Sequence, residues 1–463
     1  MLVNRVERGR YLDSVALMRV SRKLEALEGV EGAALMIGSP SNKALLAGAG
    51  LLARDGEAAT PNDLIIAVKT VDERTGLRAI EEAQALLVAT APERSSARSA
   101  RSLAGALELL PHANLALISI PGEFAAFEAR RALERGLHVL LFSDNVPLEE
   151  EARLKRLAAE RGRLLMGPDC GTALINGTPL AFANAVPRGE IGIVSASGTG
   201  LQEVSTLIAR MGGGISHGIG VGGRDLDARI GALGTLAALE ALEHDPATAK
   251  IVLISKPPAP EVARRVLERV EKSAKPCVVC FLGLENRGQS PIFATTLTDA
   301  AERAMGRKLA PLPLPALKSV KEKSVRGLYC GGTLCAEAEL IFRRKGLRGE
   351  FVDLGDDEYT RGRPHPMIEP EIRNDHIARA LADPAVGVLL IDVVLGYGAH
   401  ESPAAVLSRV LKGQKPVVAS VTGTEQDPQG WSRQVAILRE AGVAVASSNA
   451  QAAEAAAALV QAI

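Results

Sequence analysis

Aromatic side chains are scarce: one Trp, four Tyr and eight Phe in 463 residues. That leaves little material for stacking nucleobases or building an aromatic cage. An excess of charge of one sign is missing as well. Lys plus Arg and Asp plus Glu both total 54, so the basic surplus that displaces counterions from nucleic acid is absent. No apolar run reaches the roughly 18 residues of a membrane span, and no basic amphipathic segment suits a membrane surface. The first residues, MLVNRVERGRYLDS, lack the apolar stretch of a secretion signal. These absences predict a soluble, cytoplasmic protein that binds neither membrane nor nucleic acid. Five cysteines (Cys170, Cys277, Cys280, Cys330 and Cys335) are too few and too scattered for a disulfide framework. Cys277 and Cys280 form a C-x-x-C, but within KPCVVCFLG, a strand-like run whose side chains alternate between faces. Two core thiols are expected there, and no metal site.

What is present is ordinary globular material, 47% hydrophobic and 23% charged. The length exceeds one hydrophobic core and predicts three or four domains. From about residue 100 short aliphatic runs alternate with amphipathic segments, the βαβα pattern of parallel sheets. LALISIP, HVLLFS, RLLMGPDCG and EIGIVSASGTG read as strands, followed by others near 215–220, 250–255 and 276–282. Residues 306–325 form a Pro-rich linker in which KLAPLPLPALKSV favours extended geometry. A second βα series follows, with FVDLG, VGVLLIDVV, KPVVASV and VAVASS as strands and QAAEAAAALVQAI as the closing helix. The two series share a strand, a small-residue turn and a helix, a weak internal echo. The first 100 residues read as a separate compact α/β domain ending in the exposed APERSSARSARS.

Two glycine-rich helix starts carry the sharpest chemistry. In IGIVSASGTG (191–200) a strand runs into a helix through Ser197, Gly198, Thr199 and Gly200. In LYCGGTLCAE (328–337) another does so through Gly331, Gly332 and Thr333. Free backbone N–H groups and the positive end of the helix dipole favour an anion at such places. A plain serine-capped βα turn is the alternative at each. Two starts that faced one another would share a ligand, but spacing does not establish that they meet.

VSASGTGLQEV, then GIGVGGRDL, then LEALEHDPATAKIVLISK resemble the α subunit of succinyl-CoA synthetase, with LLMGPDCGT similar to that family's GPNC-type turn. The resemblance spans roughly 110–285. Residues 326–463 resemble the carboxy-terminal domain of that family's β subunit. The resemblance implies an α/β fold of several domains with parallel sheets. It divides the chain into an N-terminal α/β domain (1–100), a Rossmann-like CoA-binding-type domain (101–188), a flavodoxin-like ligase-type domain (189–305), the linker, and a second flavodoxin-like ligase-type domain (326–463). It also implies that the two helix starts converge on one phosphoryl site. An α-like part fused to a β-terminal part looks like the FdrA family, whose members are similar to subunits of oxamate carbamoyltransferase from purine and allantoin breakdown.

The pattern departs from the synthetases in three places. Their phosphate-relaying histidine has no counterpart, since no histidine lies between His244 and His365. The glutamate that would orient it falls on Lys256, which favours a bound phosphate or carboxylate. There is no room for an ATP-grasp domain, and MIGSPSNKALLAGAG (36–50) matches the family's CoA loop poorly, so CoA is a doubtful cofactor. His400 follows the strand VGVLLIDVV, at a strand end where open α/β sheets place ligands, and joins Lys256 as a catalytic candidate. Arg361, Arg363 and Arg373 in the long TRGRPHPMIEPEIR insertion are candidates for clamping a carboxylate, and Glu425 for a further polar contact. Together these features predict a carbamoyltransferase subunit that moves a carbamoyl group between phosphate and a small oxo-acid amide such as oxamate. Carbamoyl phosphate or phosphate is then a substrate, and no cofactor is required. The resemblance implies hetero-oligomers with other carbamoyltransferase subunits, with a homodimer also open. An acyl-CoA synthetase that draws nucleotide chemistry from a partner and a non-catalytic anion-binding scaffold are the alternatives.

Overall fold

A computed structural model of the chain describes residues 1–10, 14–89, 100, 102–284, 292–317, 320, 324–360, 364–411, 413 and 415–461. These fall into two compact units, Met1–Ala100 with Thr360–Pro364, and Arg101–Tyr359 with His365–Ile463. Among the described residues no helix is long and apolar enough to cross a membrane.

In the first unit, strands β1 (Leu2–Glu7), β2 (Val30–Ile37) and β3 (Leu64–Thr70) form an antiparallel sheet in the order β1-β3-β2. The central strand is buried on both faces, which is why LIIAVKT reads as a continuous apolar run. Leu17, Leu24 and Leu87 from helices Ser14–Glu25 and Glu73–Ala89 cover one face, and Leu46 and Leu51 cover the other. The stretch 36–50 belongs to this sheet and its covering helix, Pro40–Gly48, and so does not open a Rossmann-type sheet as a CoA loop would.

The second unit holds three sheets. Strands β4 (Leu115–Ile118), β5 (His138–Leu141) and β6 (Leu165–Met166) are parallel and adjacent in that order. Strands β7 (Thr172–Ile175) and β8 (Thr178–Ala181) form a hairpin across Asn176-Gly177, both with positive φ, as a two-residue turn of this kind demands. The hairpin pairs with the next sheet, so residues 172–181 join the ligase-type lobe that was expected to begin at 189. That lobe continues through β9 (Arg188–Ser195), β10 (Ile215–Gly220), β11 (Lys250–Ser255), β12 (Cys277–Phe281) and β13 (Ile292–Phe293), in the order β13-β12-β11-β9-β10-β7-β8. The other lobe has β14 (Ser324–Tyr329), β15 (Gly349–Asp353), β16 (Val386–Val394), β17 (Val417–Thr422) and β18 (Ala444–Ala446), in the order β15-β14-β16-β17-β18. In both lobes the first parallel strand lies between the second and the third. The strand order therefore reverses beside β9 in one lobe and beside β14 in the other, the place where open α/β sheets bind ligands.

Helices Gly198–Arg210, Leu297–Met305, Gly332–Arg344 and Asn449–Gln461 share one apolar cluster, in which Leu201 and Val204 meet Leu334 and Ala338. Polar ties reinforce this contact between lobes. Asp427 accepts from Asn184 Nδ2 at 2.8 Å and from Ala185 N at 2.7 Å. Asn449 donates its backbone N–H to Glu203 at 2.9 Å and its side chain to Glu337 at 2.8 Å. Leu309 of the linker is buried and Leu312 N donates to Ser447 Oγ at 2.5 Å. All five cysteines are buried and free; Cys277 and Cys280 point into different apolar clusters, as strand alternation requires.

Candidate functional site

The first helix start is shaped by hydroxyls. Beyond β9, Ser195 Oγ donates to Ser197 O at 2.7 Å and accepts from Ser197 N at 3.1 Å, turning the chain. Ser197 then caps helix Gly198–Arg210, its Oγ accepting from Gly200 N at 2.9 Å. The second start, beyond β14, has no side-chain cap. Asp392 of β16 holds it instead, accepting from Cys330 N at 2.8 Å and Gly331 N at 2.9 Å. Asp392 is itself held by Arg373, 3.2 Å away, whose guanidinium also donates to Asp392 O at 2.7 Å and Leu328 O at 2.6 Å.

The two starts meet. Ser197 Oγ donates to Thr333 Oγ1 at 2.5 Å. A Cβ on Gly331 would lie 3.1 Å from both Thr199 Cγ2 and Asp392 Oδ2, so glycine lets the two turns approach this closely. Among the described residues the N–H groups of Gly198, Thr199, Gly332 and Thr333 donate to no protein acceptor, as expected of a helix's first turn. Gly198, Thr199 and Gly332 keep partial exposure. Each helix adds about half an elementary positive charge at this point. Chemically, such an arrangement can cradle a small oxyanion.

Two charged side chains flank Gly332. A Cβ there would collide with Asp353 Oδ2 and lie 3.4 Å from Lys256 Nζ. Lys256 is exposed, just beyond β11. Asp353 ends β15, and its Oδ1 accepts from Gly355 N at 2.9 Å. Burial pushes this carboxyl up to about 6; Asp392 adds to the rise, while the Gly355 N–H and Lys256 oppose it. His365 stands behind Gly355, where a Cβ would lie 2.5 Å from its Nε2. Burial, with Arg373, holds this imidazole down to about 4, so it is neutral near pH 7. Its Nδ1 accepts from Met367 N at 3.2 Å, which leaves the proton on Nε2.

Of the residues singled out in the sequence, Ser197, Gly198, Thr199, Gly200, Gly331, Gly332, Thr333 and Lys256 are brought to this one place. Arg373 lies beneath it, 1% exposed, with its charge set against Asp392 and not toward solvent. His400 is half-buried between Met367 O, which its N–H reaches at 2.8 Å, and Ser402 N, which donates to its Nδ1 at 3.0 Å. Glu425 is exposed and accepts from Ser432 N at 2.9 Å in the first turn of helix Trp431–Glu440. Arg361 and Arg363 lie outside the described residues. Sequence reasoning passed over Asp353 and Asp392, each sitting in an apolar run, FVDLG and LLIDVV. A lone acid near the carboxyl end of a buried parallel strand was the available signal.

Comparison with known proteins places these features in a lineage. A CoA-ligase family model matches residues 328–459, and a model described as the AllF heavy metal-associated domain matches residues 1–102. The chain is 42% identical to the Escherichia coli (strain K12) protein YahF, over 95% of each chain. It is 28% identical to the succinate–CoA ligase [ADP-forming] α subunit of Methanothermobacter thermautotrophicus, over 37% of this chain and 57% of that one. It is likewise 28% identical to the ADP-forming sulfoacetate-CoA ligase subunit SauD of Bilophila wadsworthia, over 37% and 59%. The chain thus spans little more than half the length of these ligase relatives. Two implied groups can be tested against the residues present. Residues 1–102 contain neither cysteine nor histidine, so the thiolate and imidazole ligands of a heavy-metal site are missing and the domain does not fit such an ion. The turn after β4 offers a single glycine, Gly122, packed against the backbone of Asp144 and Asn145, and so gives no glycine-lined approach to a CoA phosphate.

Proposed function

The chain belongs to the same family as YahF, and on that footing we propose that its paired helix starts form a carbamoyl-transfer site, with the chain an FdrA-type subunit of a carbamoyltransferase. One observation carries the reading: the Ser197–Thr333 contact joins two anion-binding helix starts in a chain with no histidine between His244 and His365 to take up phosphate. The cradle therefore serves a phosphate that arrives and leaves with the substrate. The free N–H groups of Gly198, Thr199, Gly332 and Thr333 hold the phosphate of carbamoyl phosphate. Lys256 balances its charge or that of an acceptor carboxylate. Asp392 and Arg373 fix the backbone behind the second start, so Arg373 acts by positioning. His400 is the candidate to meet an oxo-acid amide such as oxamate, while Glu425 supports the first turn of helix Trp431–Glu440. Transfer then needs a held phosphate, an oriented acceptor nitrogen and donors to the carbonyl oxygen, without CoA or nucleotide.

The matches to CoA-ligase subunits favour a second reading, an acyl-CoA ligase completed by a partner chain. One experiment separates the two. The protein, alone and with the products of neighbouring genes, is incubated with carbamoyl phosphate and oxamate, and phosphate and oxalurate are measured. Oxalurate formation without ATP or CoA is expected. Thioester formation dependent on ATP and CoA, with no oxalurate in any combination, sinks the proposal.

A further inference from the structure

The polar groups around the cradle are nearly all spoken for. Asp392 accepts two backbone N–H groups and faces Arg373; Ser197 and Thr333 are bonded to each other. Asp353 differs. Its Oδ1 is held by Gly355 N, but Oδ2 receives no donor among the described residues and lies against Gly332, where a bound oxyanion would sit. A negative carboxylate there opposes the anion that the two helix starts attract. The conflict disappears when the carboxyl carries a proton.

We propose that Asp353 carries the proton of the transfer step at Oδ2, taking it up as the oxyanion enters the cradle and giving it to the departing phosphate. This rests on the carbamoyl-transfer reading. The acceptor nitrogen attacks the carbamoyl carbon and a C–N bond forms. The bond from that carbon to the phosphate oxygen breaks, its electron pair leaving on phosphate. Asp353 gives its proton to that phosphate, which becomes hydrogen phosphate, and the freed carboxylate takes the proton of the acceptor nitrogen; this proton returns to solvent as the phosphate leaves. No other reactant is needed. The groups facing Asp353 suit a proton that is held briefly. Lys256 from the turn after β11 favours the charged form; Asp392 from β16 and Asp356 from its own loop favour the neutral one. Arg373 neutralises Asp392 from behind, Cys335 of helix Gly332–Arg344 is a thiol that burial keeps protonated, and His365 is neutral.

Sulfate, which does not titrate near neutrality, separates this role from the overall reaction. Calorimetry of sulfate binding to the full-length protein, in buffers of different ionisation heat, should show uptake of about one proton per sulfate near pH 7. Wild-type affinity should fall as pH rises above 6. Asp353→Asn should bind sulfate about tenfold more tightly at pH 7.5 with no such uptake, and should form oxalurate about 100-fold more slowly. Unchanged proton uptake in Asp353→Asn, pH-independent sulfate binding by the wild type, or transfer by the variant within threefold of wild type would each overturn the assignment. Absence of oxalurate from the wild type with every partner strikes instead at the carbamoyl-transfer reading, which the sulfate measurement does not touch.

Discussion

The two ligase-type lobes arrive at the cradle with the same strand order and different equipment. The β9–β13 lobe brings a hydroxyl-built turn, Ser195 and Ser197, and an exposed cation in Lys256. The β14–β18 lobe brings a turn without a side-chain cap, fixed from below by Asp392 and Arg373 and overhung by Asp353. The first start stabilises itself locally, whereas the second depends on groups distant in sequence. One topology thus yields a self-capped wall and a buttressed wall, and the carboxylates of the second wall make it the place where protons can be exchanged.

The largest effect should separate the two walls directly. Gly332→Ala drives a methyl into Asp353 and toward Lys256, whereas Gly198→Ala meets only the Thr172 side chain, with Oγ1 at 3.1 Å. Phosphate affinity, read by calorimetry, should fall at least about 100-fold for the first and less than about tenfold for the second; equal losses would erase the distinction. Next comes the joint between the lobes. Asn449→Ala should cost about 2 kcal/mol in denaturant unfolding, because the buried Glu337 carboxyl and Leu334 carbonyl lose their side-chain donor while the backbone donor to Glu203 stays. Burial holds Glu337 at about 7, above an exposed glutamate. The stability tied to its protonated form is therefore complete below pH 4.5 and lost as pH rises through 7, and Glu337→Gln should flatten that slope. Lys256→Met should weaken phosphate binding about tenfold and lower its salt dependence, with Lys256→Arg close to wild type. Smallest is Ser197→Ala, about 1 kcal/mol of stability from the lost cap. A double-mutant cycle with Thr333→Val should show coupling between the lobes at the 2.5 Å contact.

Much of the scaffold was legible because strands and helix starts are local. Alternation and glycine punctuation located β9, β14 and the helices after them, and every glycine-turn residue of the cradle. The hairpin β7–β8 was passed over although Asn176-Gly177 announced it, and its pairing with β10, far along the chain, leaves no local signal. β1 was passed over since its residues, LVNRVE, are half polar and sit at a sheet edge. The carboxylates were hidden for another reason. Asp353 and Asp392 become functional only when two strands place them beside Gly331 and Gly332, and nothing in their own neighbourhoods records that. Arg373 reads as an exposed clamp in its loop, yet the fold spends its charge on Asp392.

The latch of Asn184 and Ala185 on Asp427, with the linker strung between the lobes, has a kinetic corollary. Both walls of the cradle belong to one polypeptide, so their encounter is intramolecular, with an effective concentration of about millimolar or higher for a tether of this kind. Dilution that would separate an α chain from a β chain leaves this cradle whole. Cutting the backbone between residues 307 and 317 should convert a concentration-independent anion affinity into one that fades as the nicked protein is diluted.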